Sequence, residues 1–169
     1  MSAAGSIRRL HPADIPIFRR IRLAALRQHP EAFSSSYEEE AAQSLEVQAQ
    51  RLLSPPGCMF GAFVDQDLFG ITGLLRQTRL KTQHKATLIS VYLDAAHRRS
   101  GLGRRLVETA IAHARDSSVR VLHLSVTVGN QAARRLYAEL GFRGYGIEHR
   151  ALWVDGVFFD DEHMVLDLD

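Results

Sequence analysis

The 169-residue chain has the size at which one hydrophobic core suffices, so a single domain over 1–169 is expected, with little room for a second. Apolar residues make up 46% and charged residues 24%, a globular composition that excludes disordered, collagen-like and low-complexity classes. Twenty-one Lys and Arg against 19 Asp and Glu leave +2 with neutral His, so the distribution of charge says more than its sum. The longest apolar runs, such as 58–64, fall far short of the ~20 residues of a membrane span, and the N-terminus lacks a signal-type segment. A cytoplasmic protein without a membrane partner is expected. Cys58, the one cysteine, cannot form an internal disulfide. No Cys/His spacing resembles a zinc site, so no metal is expected.

In chain order, a short strand over 7–10 precedes Ile17, Phe18, Ile21, Ala24 and Ala25, whose helical spacing predicts an amphipathic helix ending near His29-Pro30. Ser36 with Glu39 forms a capping-box pattern, and one second helix then carries Leu45, Ala49, Leu52 and Leu53 until Pro55-Pro56-Gly57 stops it. Strands over 58–64, 68–75 and 86–93 read as an antiparallel meander. A helix over 101–115 follows, glycine-rich and basic in its first turn, then a β-branched strand over 119–126, a helix over 130–140 closed by Gly141, and a hairpin of 142–154 with 157–168 around Asp155-Gly156. The strand, helix, strand unit over 86–126 predicts one parallel pair inside a mostly antiparallel sheet. The fold class is mixed α/β (α+β), one sheet flanked by helices.

Arg98-Arg99-Ser100-Gly101-Leu102-Gly103 joins a strand to a helix. Several backbone N–H groups converge there on the positive end of the helix dipole, an anion site suited to a pyrophosphate. Gly101 and Gly103 permit close backbone approach, and Arg98, Arg99 and Arg104 add charge. No Gly-Lys-Ser/Thr follows, and Leu106 replaces the third glycine of a dinucleotide fingerprint, so neither a Walker loop nor an NAD site is present. The other basic cluster, Arg19, Arg20, Arg22 and Arg27 of the first helix, does not share one helical face and lacks aromatic stacking partners, which argues against nucleic-acid binding.

The second chemical element is 130–142, with Asn130, Ala133, Leu136, Tyr137, Gly141 and Phe142 directly after a strand. Together with Val91-Tyr92-Leu93 leading into the Arg-x-x-Gly-x-Gly turn, it resembles the GNAT superfamily of N-acetyltransferases, whose second hallmark reads Asn-x-x-Ala-x-x-Leu-Tyr-x-x-x-Gly-Phe. The resemblance covers nearly the whole chain. It implies a splayed central parallel pair with acetyl-CoA as cosubstrate in the gap. The pantetheine arm would pair with backbone at Val91, Tyr92 and Leu93, and the pyrophosphate would rest on amides of Arg99, Ser100, Gly101, Leu102, Gly103 and Arg104. Asn130 would touch the pantetheine, and Tyr137 would point its hydroxyl at the thioester sulfur. A backbone N–H near Leu93 would stabilise the oxyanion, and Tyr137 would protonate the leaving thiolate as general acid.

The general base is open. Where some members of the family carry a Glu in the strand before the phosphate turn, this chain has Thr87. The remaining candidates are His84, one of Glu38, Glu39 and Glu40, Glu148, His149, or a water chain. Acceptor recognition is expected from the N-terminal helices and the late hairpin. There Glu38, Glu39, Glu40, Asp160, Asp161 and Glu162 suit a cationic amine, and Tyr37, Trp153, Phe158 and Phe159 offer walls. The acceptor is a primary amine, small or on a protein, and a homodimer through the late hairpin is open. The competing function is a non-catalytic acyl-CoA-binding or sensing module with the same cleft.

Overall fold

The computed structural model describes residues 5–169; the first four residues of the expected 1–169 domain lie outside the described residues. One seven-stranded sheet runs in the order β1-β2-β3-β4-β5-β7-β6. The strands are β1 (Ser6–Arg9), β2 (Gly57–Val64), β3 (Asp67–Arg76), β4 (Lys85–Leu93), β5 (Val121–Thr127), β6 (Arg143–Val154) and β7 (Val157–Asp167). The helices are α1 (Ile15–Gln28), α2 (Tyr37–Ala42), α3 (Leu45–Leu52), α4 (Leu102–Asp116) and α5 (Gln131–Glu139). All pairings are antiparallel except β4 with β5, as the strand, helix, strand pattern predicts. No described helix is long and apolar enough to cross a membrane.

Period-two side-chain alternation divides the core between the two faces of the sheet. Phe60, Ala62, Leu74, Leu88, Leu122, Leu124 and Val126 face α4 and α5, where Leu106, Val107, Ala110, Ile111 and Tyr137 meet them. Met59, Leu68, Ile71 and Tyr92 face the other way, against Phe18, Ile21, Ala25 and Leu26 of α1 and Leu52 of α3. Cys58 is buried in the first of these clusters, and burial pushes its thiol pKa up.

The second helix expected from the sequence is two helices. Gln43 leaves the helical region at ψ 146°, and Ser44 starts α3 by accepting from the Val47 amide at 3.2 Å. A serine side chain that caps a new N-terminus competes with continuation of the old helix. The Ser36 and Glu39 capping box forms as read, with contacts of 2.8 and 3.1 Å. β5 begins at Val121 rather than 119, because Val119 closes the turn after α4 by donating to Ala114 O at 3.0 Å.

Candidate active site

Parallel pairing of β4 with β5 is limited to Lys85–Val121, Ala86–Leu122 and Thr87–His123. Beyond Thr87 the two strands separate. On its other edge β4 carries a bulge: Ile71 and Gly73 of β3 face Tyr92 and Ile89, so β4 holds one residue more than its partner, and Ser90 takes φ +58°. A bulge bends its strand and raises the local twist, which turns the end of β4 away from β5.

The bulge is held from the N-terminal helices. Arg22 Nη1 of α1 donates to Ser90 Oγ at 2.6 Å. Arg22 is only 5% exposed and Glu40 of α2 is fully buried. Its Nε and Nη2 donate to the Glu40 carboxylate at 3.2 and 2.7 Å, and Arg51 Nη2 of α3 adds a third donor at 3.0 Å. Burial alone would raise the Glu40 pKa, but the guanidinium groups of Arg22 and Arg51 outweigh it and hold it below the ordinary carboxylate range. Glu40 is thereby a structural anion and not a free base. Two more arginines of α1 have partners within the protein: Arg19 donates to the carbonyls of Gln43 and Ala41, each at 2.6 Å, and the exposed Arg27 lies 4.3 Å over the Tyr37 ring.

The separation opens a cleft of about 400 Å³ on the α1 to α3 side, lined by Arg22, Phe33, Arg51, Thr87, Ile89, Ser90, Ser125, Thr127 and Asp161 among others. Desolvation, followed by the nearby Glu148, pushes the Asp161 pKa up, and its Oδ1 is buried without a hydrogen-bond partner among the described residues. Thr127 beside it gives its hydroxyl proton to Glu31 O at 2.8 Å.

At the far end of β4, Asp94 caps the short turn Ala95–His97 through the Ala96 amide at 2.9 Å. Arg99 and Gly101 then take left-handed φ of +63° and +81°, and α4 starts at Leu102. Among the described residues, no protein acceptor is found for the amides of Arg99, Ser100, Gly101, Gly103 or Arg104. A Cβ at Gly101 would meet nothing within 4 Å, so the cradle is open where the amides converge, and its donors fit a pyrophosphate. Ser100 Oγ is turned back to His97 O at 2.5 Å and toward the Leu102 amide at 3.4 Å. Arg98 reaches Leu93 O at 3.2 Å and His29 Nε2 at 3.2 Å, whereas Arg104 pairs with Glu139 and Glu108. Arg99 alone of the three is left without an ion pair or side-chain hydrogen bond among the described residues.

Val91 and Leu93 pack toward the α4 side. The Tyr92 ring lies on the α1 side, where its hydroxyl donates to Gln28 Oε1 at 2.9 Å. Asn130 caps α5, its Oδ1 accepting from the Ala133 amide at 3.3 Å, which leaves its Nδ2 donors available. Tyr137 is 6% exposed and packs edge-on against Phe142 at 5.9 Å. Its hydroxyl has no partner among the described residues, and desolvation drives its pKa upward, so it keeps its proton at neutral pH.

The proposed bases scatter. His84 lies at the opposite end of the parallel pair, where its carbonyl receives the amides of Arg120 and Val121. Glu38 and Glu39 border a second cavity of about 510 Å³, together with Trp153 and Val154 of the late hairpin. His149 pairs with Asp160 at 3.2 Å, and Glu162 pairs with Arg134 at 2.7 Å. Trp153 stacks with Phe158 at 6.1 Å. Glu148 sits 2.8 Å from His163 Nε2, and His163 Nδ1 lies 3.0 Å from Ser125 Oγ. The sequence reading missed Arg22, Ser125 and His163. The alternation His123-Leu124-Ser125-Val126-Thr127 marks a polar strand face, but the register that gives this face its partners is not visible in it.

The sheet is thus split at its one parallel pair, with open backbone amides after β4 and a polar cleft beside the gap, an arrangement with the length and the donors for an extended anionic ligand. The sequence profile of the Acetyltransferase (GNAT) family matches residues 19–142, and the chain belongs to that family. It is 32% identical over 108 residues to the N-alpha-acetyltransferase RimI of Mycobacterium tuberculosis, covering 63% of this chain and 65% of that protein. It is 26% identical over 118 residues to human N-acetyltransferase 8, covering 66% of this chain and 49% of the relative; the match thus spans from half to about two thirds of these relatives. Among solved structures, a GNAT-family acetyltransferase from Streptococcus pneumoniae superimposes with TM-score 0.83 at 25% identity, covering 97% of this chain and 99% of that one. An acetyltransferase from Salmonella typhimurium, solved with its cofactor acetyl-CoA, gives 0.80 at 23% identity, covering 98% and 95%.

Proposed function

We propose that this protein is an N-acetyltransferase that moves the acetyl group of acetyl-CoA to a primary amine by direct attack. The observation that carries the reading is the pairing of the open amide cradle at 99–104 with the gap between β4 and β5. In this reading the diphosphate rests on the cradle, the pantetheine replaces the missing strand partner along Val91, Tyr92 and Leu93, and Asn130 Nδ2 meets an amide of that arm. The amine nitrogen attacks the thioester carbonyl from the cleft, and negative charge develops on the carbonyl oxygen beside the bulged β4 backbone. The C–S bond then breaks, and the thiolate takes the Tyr137 proton. Burial keeps Tyr137 protonated at neutral pH, so its proton is in place when the thiolate forms, while the same burial makes the phenol a weaker acid than a free one.

Asp161, the carboxylate lining the cleft, favours an acceptor that arrives as an ammonium ion. The named activities of the relatives make a polypeptide α-amine the first acceptor to try. The test is calorimetry with CoA and acetyl-CoA, followed by thiol release with Ala-initiated peptides, amino acids and polyamines. The expected result is binding of both thiols and turnover with one amine class. Absence of binding would overturn the reading, and binding without turnover would mark the non-catalytic acyl-CoA-binding module instead.

A further inference from the structure

The proposed reaction needs a group that takes a proton from the incoming ammonium, and Thr87 cannot do so. We propose that Ser125, His163 and Glu148 form a proton relay that performs this step, with Ser125 touching the amine and His163 receiving the proton through it. The inference rests on the acetyl-transfer reading given above.

The geometry orders the chain of hydrogen bonds in one direction. An ionised carboxylate only accepts, so the 2.8 Å contact of Glu148 Oε2 with His163 requires the ring proton on Nε2. Nδ1 of the neutral ring is then an acceptor, and at 3.0 Å it takes the Ser125 hydroxyl proton. The serine oxygen keeps its lone pairs free to accept a proton from a third group. Register builds this arrangement: Ser125 is opposite His163 across β5 and β7, and Gly146, two residues before Glu148, is opposite His163 across β6 and β7.

Position ties the relay to the reaction. Ser125 lies two residues beyond His123, the last β5 residue that pairs with β4, and it lines the same cleft as Ile89 and Ser90 on the opposite wall. It therefore stands where the strands have parted, facing the bulge. The other polar groups of this cleft suit the task less. Arg22 and Arg51 are cations, and Thr127 has committed its proton to Glu31 O. Asp161 attracts an ammonium, but an ion pair stabilises the protonated amine and so opposes its loss of a proton. An imidazole is the side chain suited to taking and releasing a proton near neutral pH.

The step balances. The ammonium gives a proton to Ser125 Oγ as Ser125 gives its own to His163 Nδ1, leaving a neutral amine, an intact serine and an imidazolium held by Glu148. The partly exposed ring then returns the proton to water. The charged and titratable groups around the ring are His123 on β5, Tyr145 and Glu148 on β6 and Asp161 on β7, with Arg22 and Arg51 across the cleft.

The experiment compares pH profiles of kcat/KM for the parent, His163→Gln, Ser125→Ala and Glu148→Gln, with an Ala-initiated peptide as acceptor. His163→Gln is expected to lose roughly 10²-fold at neutral pH, the usual worth of a general base, and to regain it as alkaline pH frees the amine unaided; Ser125→Ala should follow it. An unchanged profile, or a loss equal at every pH, would overturn the relay while leaving acetyl transfer standing. Ring ¹⁵N shifts of His163 in the free protein supply a readout that needs no turnover. Protonation at Nε2 is expected, and protonation at Nδ1 would overturn the relay even if the parent acetylates none of the amines.

Discussion

Replacing Glu40 by Gln is the perturbation for which the structure gives the firmest magnitude. Glu40 is fully buried and Arg22 is 5% exposed, whereas the Arg51 side chain is 43% exposed. Arg51 can turn to water when the anion is removed; Arg22 cannot, and it keeps its charge with only an amide oxygen and Ser90 as partners. Breaking a buried pair on one side costs about 3 to 5 kcal/mol, and for a domain of this size that lowers Tm by about 6 to 20 °C. The double variant Arg22→Met with Glu40→Leu removes both charges and should lie well above the sum of its two single variants, because an apolar pair of similar volume often replaces a buried ion pair without loss. Thermal and urea unfolding of the four proteins closes the cycle. A loss below about 1 kcal/mol for Glu40→Gln, the worth of an exposed pair, would refute the claim that this network is structural. The network also persists in mild acid. The Glu40 pKa is depressed in the folded state, so its contribution is complete above the ordinary carboxylate pKa and fades only as pH falls through the lower folded value.

Tyr137→Phe should leave CoA affinity and stability nearly unchanged, because the hydroxyl has no partner to lose, while kcat falls about 10²-fold; stopped thiol release with unchanged calorimetry is the signature, and an unaltered kcat would remove Tyr137 from the chemistry. Gly103→Ala and Gly101→Ala should separate folding from binding. Gly103 lies inside α4, where a Cβ would sit 3.7 Å from Leu93 Cδ2, so alanine should stabilise the helix by up to about 1 kcal/mol and yet weaken CoA binding by crowding the cradle. At Gly101, with φ +81°, alanine should cost about 1 kcal/mol and weaken CoA as well, and unchanged CoA affinity in both variants would move the diphosphate elsewhere. Asp14, hydrogen-bonded to Arg8 at 2.8 Å, has its pKa lowered to about 2. Because that folded value lies below the ordinary one, the stability it adds is present above about pH 4 and lost toward pH 2. Urea unfolding across that window should fall less steeply for Asp14→Asn than for the parent.

The parts of this structure that were legible in the sequence are those in which one residue type is forced by local geometry. Gly101 and Gly141 occupy φ +81° and +97°, where a side chain is strained, and Asn130 and Ser36 cap helices with their own side chains. Period-two and period-3.6 patterns gave the strand and helix order because each element buries one face. What escaped is nonlocal. Arg22 looks in the sequence like one of a run of surface arginines, and it is buried only because Glu40 and Ser90, 18 and 68 residues away, meet it. The Ser125, His163 and Glu148 chain joins three strands, β5 and β7 in unbroken register and β6 shifted against β7 by its bulges, and no spacing within one segment reports it.

The split in the sheet connects these observations. Beyond Thr87 and His123 neither β4 nor β5 has the other as partner, so their facing backbone groups need an acceptor or donor from elsewhere. In the proposed function a cosubstrate arm with amides of its own would satisfy them, and the gap would be a binding site by the same rule that makes a sheet. The gap is also where the two faces of the sheet communicate. Tyr137 approaches with the α4 and α5 face, while Ser125 and His163 belong to the face that α1 to α3 partly cover. In the proposed reaction one proton leaves the amine on one face and another reaches the thiolate from the opposite face. Donor and acceptor of protons are thereby kept apart by the substrate itself. A fully paired β4 and β5 would satisfy the backbone equally well but would seal one face from the other, so in the proposed reaction the Ser90 bulge and the buried arginine that holds it would serve the chemistry as well as the fold.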